Sequence, residues 1–275
     1  MSYSIFTSFD EGYFETAAVM ISTMSDNYFG SEKLKVYCLV PSNLIPFQDK
    51  FLDIIRHPSN LDVVFKTTTG YLENIESKIG SNDIGVEWIT PNCFHRIFIA
   101  SAFPELDKAI YIDPDIVVMR NIQPILDFPL YNKIIAHVEI MPPDGVSKDS
   151  NYFNNGVYIT DLNFWRNNLL EQQMLDFMHV NGMSKHTEQD LMNIFLKDYL
   201  YPLPRTMNLF SYQDHINFFR EATPDPILVH FVGPLKPWKN HDVERRWTNV
   251  WRKKYLELFG VDISLTKEYN IMYNF

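Results

Sequence analysis

Two carboxylates stand two residues apart between apolar runs at residues 109–118, which read Ala-Ile-Tyr-Ile-Asp113-Pro114-Asp115-Ile-Val-Val. The first run has the length and β-branched content of a strand buried on both faces. Pro114 then breaks the chain, because its ring fixes φ and it has no N–H to donate. Asp113 and Asp115 are therefore presented at the end of a central strand, where open α/β sheets bind their ligands. A close pair of carboxylates is costly unless a cation sits between them. Oxygen ligands suit Mg²⁺ or Mn²⁺, ions that also hold phosphates. The competing reading is a solvated Asp-Pro-Asp turn, but such turns are rarely flanked by hydrophobic runs on both sides.

A second segment answers the first. A short strand at 227–229 leads into His230-Phe-Val-Gly233-Pro-Leu-Lys236-Pro237-Trp238. His230 offers an imidazole nitrogen to a metal. Gly233 lets backbone approach a phosphate closely, and Lys236 supplies a point charge for a diphosphate. Pro237 and Trp238 would stiffen and cover the loop. A lone histidine at a strand end is more often structural; five such residues within nine argue for a site.

In these residues the chain resembles family 8 glycosyltransferases. These are retaining enzymes of the GT-A fold, including bacterial lipopolysaccharide galactosyl- and glucosyltransferases and, more distantly, glycogenin. The family's aspartate pair is matched by Asp113 and Asp115. Its His-x-x-Gly-x-x-Lys-Pro-Trp motif is filled at every fixed position by His230, Gly233, Lys236, Pro237 and Trp238. Phe153-Asn154-Asn155-Gly156-Val157 and Gln189-Asp190-Leu191-Met192-Asn193 match two further motifs. The four occur in family order and, together, the likeness spans roughly residues 4–240. Two departures are visible: a proline between the aspartates, and a looser N-terminal uridine motif.

The resemblance implies a metal site of Asp113, Asp115 and His230 holding Mn²⁺ or Mg²⁺ against the diphosphate of a UDP-sugar. It implies nucleotide-sugar contacts from Asp10, Tyr13, Arg96, Asp113, Glu139, Asn154, Asn155, Gly233 and Lys236. Gln189 is expected nearest the anomeric carbon and Asp190 to orient the sugar, with Lys236 stabilising the departing UDP. Several have an ordinary alternative: Tyr13 as core, Arg96 as a surface salt bridge, Asn154 and Asn155 as a turn, and Asp190 as a first-turn charge favoured by the helix dipole. Glucose or galactose is the default sugar and a glycan the default acceptor. Two rival readings are a catalytically idle nucleotide-sugar-binding or scaffold protein and a metal-dependent nucleotidyltransferase or phosphohydrolase. The latter would need a Gly-rich nucleotide loop or further carboxylate ligands, and no Gly-x-x-x-x-Gly-Lys is present.

Composition agrees. The 275 residues suit one α/β domain with a short appendage, expected as 1–240 and a helical 241–275. Hydrophobic content of 46% and charged content of 21% argue against disorder. A net charge of −10 disfavours a nucleic-acid partner. The basic residues of 245–255 alternate with Trp247, Trp251 and Tyr255. They read either as a peripheral contact with anionic lipid or, preferably, as an amphipathic helix with its aromatics packed inward. Cys38 and Cys93 read as buried free thiols. No secretory leader or membrane span is visible, so a reducing, cytoplasmic setting is expected.

Apolar patterning predicts strands at 3–9, 35–40, 61–66, 134–139, 157–160 and 227–229. It predicts helices at 15–24, 47–56, 94–103, 164–180 and 188–196. Such alternation implies an α/β fold with a mostly parallel sheet and helices on both faces. Residues 141–151 join the strand carrying Glu139 to Asn154, which suggests a lid over the donor.

Overall fold

The computed structural model describes residues 4–67, 70, 91–130, 134–138, 151–181, 187–211, 225–234, 236–239 and 247–263. Glu139 and all of the proposed lid but Asn151 lie outside them, as do Arg245 and Arg246.

Strand alternation builds two cores from the same residues. In β1 (Ser4–Ser8), Ile5 faces one cluster and Phe6 the other; β2 (Leu34–Leu39) divides Val36 from Tyr37, and β4 (Lys108–Ile112) divides Ile110 from Tyr111. With both faces buried, the strands can be apolar throughout, as the sequence had indicated. The described sheet runs β3 (Leu61–Lys66), β2, β1, β4, β7 (Phe153–Asp161), β6 (Ile134–Val138) and β8 (Leu200–Pro202). Only β7 runs against its neighbours.

One face carries α1 (Phe14–Asp26) and α2 (Gln48–Ile54). The other carries the 3₁₀ segment Pro91–Phe98, α3 (Ile99–Ala102), and, beyond the short α4 (Gln123–Leu126), the helices α5 (Leu162–Asn167), α6 (Leu170–Asn181) and α7 (Thr187–Leu196). A second small sheet joins β5 (Ile116–Val118), β10 (Leu228–His230) and β9 (Leu209–Phe210). The last described helix, α8 (Thr248–Phe259), closes a third core with Trp238, Trp247, Trp251 and Tyr255. The inward-packed reading of its aromatics holds.

Several expectations are corrected. The helix expected at 94–103 opens as a 3₁₀ segment to Phe98, within which the Arg96 side chain donates to the Cys93 carbonyl at 3.0 Å. The helix at 47–56 is shorter and follows a 3₁₀ segment containing Pro46, which cannot donate to a helical ladder. The segment 164–180 divides at Leu169, whose φ is 51°, just after Asn168, whose backbone N–H and side chain both donate to the Phe164 carbonyl. The strand expected at 157–160 begins at Phe153, so Asn154 and Asn155 lie in extended chain and not in a turn. Cys93 is half-buried, unlike Cys38.

Candidate active site

β4 delivers Asp113 and β5 begins just after Asp115, so Pro114 carries the chain from one sheet to the other. β10 pairs antiparallel with β5, placing His230 opposite Ile116, and the Phe231 N–H donates to the Asp115 carbonyl. These pairings bring the two sequence-distant segments together. His230 Nε2 lies 3.1 Å from Asp115 Oδ1 and 3.7 Å from Asp113 Oδ2. Ligand atoms from the three residues lie within 4.8 Å of one another.

That spacing fits a metal ion. Bonds of about 2.1 Å in an octahedral site put neighbouring ligand atoms about 3 Å apart and opposite ones about 4.2 Å apart. Asp115 Oδ1 is fully buried and accepts no hydrogen bond, leaving its lone pairs available. Two carboxylates and one imidazole make a donor set for Mg²⁺ or Mn²⁺.

The carboxylates have opposite electrostatic surroundings. Burial pushes Asp113 above the usual carboxylate range, helped by Asp115 and only partly countered by Arg96 and His230. Burial acts on Asp115 too, but Lys236 and His230 outweigh it and hold Asp115 well below that range. Lys236 Nζ contacts Asp115 Oδ2 and donates to the Phe231 carbonyl at 2.7 Å. A divalent cation between the two groups would relieve the repulsion that raises Asp113.

Arg96 is buried, so the surface-salt-bridge alternative fails. Its guanidinium donates to Asp113 Oδ1 at 2.8 Å and to the Asn155 carbonyl at 3.0 Å, and it lies 3.8 Å from Glu188. It also sits over the Tyr111 ring, 4.4 Å from the centroid. Arg96 thus locks one oxygen of Asp113, leaving Oδ2 turned toward His230.

β7 forms the floor. Its pairing with β6 skips Asn155–Val157, since Ala136 faces Tyr158 while His137 faces Asn154. Such bulges re-aim side chains beside functional sites. Asn193, last of the Gln-Asp-x-x-Asn motif, holds the strand by both backbone groups of Phe153, at 2.8 and 2.9 Å. The Gly156 carbonyl accepts from the Asp113 N–H at 2.7 Å. A Cβ on Gly156 would collide with His230 Cε1 and Asp113 Oδ2. Only a glycine fits beneath the metal-ligand group.

Gln189 and Asp190, in the first turn of α7, reach the same floor. Gln189 Oε1 accepts from Asn154 Nδ2 at 3.2 Å and from the Asn155 N–H at 3.3 Å. The Tyr152 hydroxyl takes Gln189 Nε2 at 3.0 Å and donates to Asp190 Oδ1 at 2.6 Å. Asn155 Nδ2 donates to Glu188 at 3.3 Å. On the opposite rim, Asp10 follows β1, and Tyr13 stands edge-on to Trp238 with ring centres 5.8 Å apart. Burial pushes the Tyr13 hydroxyl up to about 12. Gly233 has φ 80°, so the turn before Lys236 itself calls for glycine. Trp238 anchors that turn against Trp251, 5.2 Å away, while Arg252 donates to the Pro237 carbonyl. The structure therefore brings together Asp113, Asp115, His230, Lys236, Arg96, Asn154, Asn155, Gln189 and Asp190.

The sequence reading passed over Gly156 as a site residue, and over Glu188, Tyr152 and Asn208. Gly156 stood in a quoted motif, and its spacing from the aspartates could have flagged it. Nothing in a single sequence points to Asn208.

The model of glycosyl transferase family 8 matches residues 4–242, so the chain belongs to that family. It is 31% identical over 150 residues to the lipopolysaccharide 1,2-glucosyltransferase of Escherichia coli K12, covering 48% of this chain but only 44% of that one. General stress protein A of Bacillus subtilis is 23% identical over 256 residues, covering 84% of this chain and 86% of the relative. The galactosyltransferase LgtC, solved with donor and acceptor sugar analogues, superimposes with a TM-score of 0.72 at 16% identity, covering 94% and 97% of the two chains. The glycosyltransferase GlyE of Streptococcus pneumoniae TIGR4 gives 0.69 at 21% identity, covering 96% and 62%. These structural likenesses concern the fold, which is the GT-A arrangement. No helix among the described residues is long and apolar enough to cross a membrane.

Proposed function

We propose that this chain transfers a hexose, glucose or galactose by preference, from a UDP-sugar to a hydroxyl of a glycan acceptor, with retention of configuration. The observation that carries this reading is the Asp113–Asp115–His230 group, half-buried at Asp113 and buried at the other two, with an Asp115 oxygen that accepts no hydrogen bond, set at the end of β4 beside Lys236. Those three residues would hold Mn²⁺ or Mg²⁺. A bound ion there supplies charge to bind the donor's diphosphate and to stabilise UDP as it leaves.

The remaining roles belong to the protein. Lys236 adds a second positive charge at the diphosphate, the group whose negative charge grows as the glycosidic bond breaks. Asp10 and Tyr13 lie on the rim at the end of β1, where a nucleoside would sit, and Gly233 would let the backbone close on the phosphates. Arg96 keeps Asp113 oriented. Asn154, Asn155 and Asp190 offer hydrogen-bonding groups to sugar hydroxyls, with Glu139 as a further candidate. The transition state is oxocarbenium-like, as in glycoside chemistry generally. Gln189, an amide, is a weak nucleophile, and Asp190 is bound to Tyr152. Both facts favour attack by the acceptor on the face from which UDP departs. Any peripheral membrane contact through 245–255 would rely on charge, since Trp247, Trp251 and Tyr255 are buried.

A panel of UDP-sugars, each assayed for Mn²⁺-dependent hydrolysis, tests the proposal without the acceptor. One sugar should be turned over, EDTA should stop the reaction, Mn²⁺ should restore it, and Asp115→Ala should abolish it. Full activity in EDTA would refute the metal role. Binding of UDP-sugars without any turnover would favour an idle binding protein.

A further inference from the structure

We infer that Asn208 is a positioning residue that fixes the tautomer of His230 and couples the metal-ligand group to the Gln189 side of the site. The inference rests on the metal-site reading above for its consequence, though not for its geometry.

A backbone N–H can only donate. The Gly156 backbone N–H points at one end of the Asn154 side chain, 3.0 Å away, so that end must be the oxygen. Asn208 approaches the same oxygen at 3.2 Å, and must do so with its NH₂ group. Its other end is then the carbonyl oxygen, which lies 3.1 Å from His230 Nδ1. A carbonyl only accepts, so Nδ1 must carry the proton. In the neutral ring Nε2 is left with its lone pair, and Nε2 is the nitrogen facing Asp113 and Asp115. Phe210 stands edge-on to the imidazole, ring centres 5.8 Å apart, and restricts its tilt.

The other end of the chain is fixed in the same way. The Asn155 N–H identifies Gln189 Oε1, which also accepts from Asn154 Nδ2. One continuous set of hydrogen bonds therefore runs from His230 through Asn208 and Asn154 to Gln189, with Asn154 and Gln189 each oriented by a backbone donor. Asn208 is wholly buried, and both of its polar ends are used. A metal-bound histidine whose second nitrogen loses its partner typically binds metal 10–100-fold more weakly.

Two substitutions separate the two bonds. Asn208→Asp keeps an acceptor for Nδ1–H but cannot donate to Asn154; Asn208→Leu has a similar volume and supports neither. The first measurement reads the parent protein itself: ¹⁵N spectra of histidine-labelled protein in EDTA at about pH 8.5, two units above the ordinary histidine value. The His230 signals are assigned by their loss in His230→Gln. The Nδ1–H form is expected, and a dominant Nε2–H form would overturn the inference whatever the protein's activity. Mn²⁺ titration followed by electron paramagnetic resonance should then show Asn208→Leu binding 10–100-fold more weakly than the parent and Asn208→Asp within about threefold of it. Equal affinity in the parent and Asn208→Leu would also overturn it. A parent that shows the Nδ1–H form yet binds no Mn²⁺ supports the positioning of His230 while refuting the metal-site reading, so the two failures are distinguishable.

Discussion

Gly156→Ala should disable the site while leaving the fold largely intact. Gly156 does not occupy the left-handed region, where Gly233 and Gly260 are found, so alanine meets no backbone penalty. Restricting the unfolded chain would even favour the folded state by about 0.4–1 kcal/mol. Against this stands one added methyl group, in clash with His230 Cε1 and Asp113 Oδ2 and tight against Asn154 Oδ1. Overpacking of this kind costs about 1–3 kcal/mol. The net loss is therefore about 0–2.5 kcal/mol, a fall in Tm of up to about 10 °C for a domain near this size. The parts able to yield are the imidazole and the carboxylate, because the backbone here is tied by the Asp113 N–H to Gly156 carbonyl bond. Relief of the clash thus comes from moving two of the three proposed ligands. Calorimetric Tm together with Mn²⁺ titration is the assay: a modest fall in Tm should accompany at least a tenfold loss of Mn²⁺ affinity. Parent-like Mn²⁺ affinity in a folded Gly156→Ala protein would refute the claim that the glycine makes room for the ligands.

Lys236→Met should weaken UDP binding and lower kcat together, by about 1.5–3 kcal/mol for a lost charge-assisted contact; calorimetry with UDP and Mn²⁺ checks this, and unchanged affinity and rate would remove Lys236 from the diphosphate. Arg96→Met should destabilise the fold by about 3–5 kcal/mol, because Asp113 and Glu188 would lose their buried cationic partner; denaturant unfolding with a loss under about 1 kcal/mol would show those carboxylates to be satisfied otherwise. Glu15 is held above its ordinary 4.5 by burial, against the Tyr255 hydroxyl that donates to it. Its folded state holds the proton more tightly than the unfolded one, so its contribution to stability is lost as pH rises from 4.5 through the folded value. Glu15→Gln keeps the acceptor and should raise Tm at neutral pH, with the advantage shrinking as pH falls from the folded value toward 4.5 and absent below it; a constant advantage down through pH 4.5 would refute the assignment.

The parts of the site legible in the sequence were those whose chemistry and local pattern coincide. Asp113 and Asp115 announced themselves because charge interrupts an apolar strand, and His230-to-Trp238 because five unusual residues crowd one loop. That they meet depends on β5 pairing with β10, a contact between segments more than a hundred residues apart, and their pattern alone carries no register. The likeness to family motifs bridged that gap where periodicity could not. Element boundaries failed for a different reason: local backbone geometry, which apolar spacing does not encode, sets them. Leu169 sits at φ 51° and parts one helix from the next, and Pro46 cannot donate to a helical ladder.

Asn208 shows where such legibility ends. An asparagine before Leu209 and Phe210 has the composition of an ordinary strand entry, and nothing in that local pattern marks it as a partner of a metal ligand. Its meaning comes from β9 lying parallel to β10, which sets the amide beside His230. The same topology explains why the site has so few free choices. Arg96 occupies one oxygen of Asp113, Lys236 one oxygen of Asp115, and Asn208 one nitrogen of His230. Each of the three proposed ligands therefore has one atom engaged by the protein and one turned toward the others. Buried polar groups that are paired on one side hold their geometry without outside help. The protein thus bears the cost of orienting its ligands during folding, so a cation entering between them would need little rearrangement to find them in place.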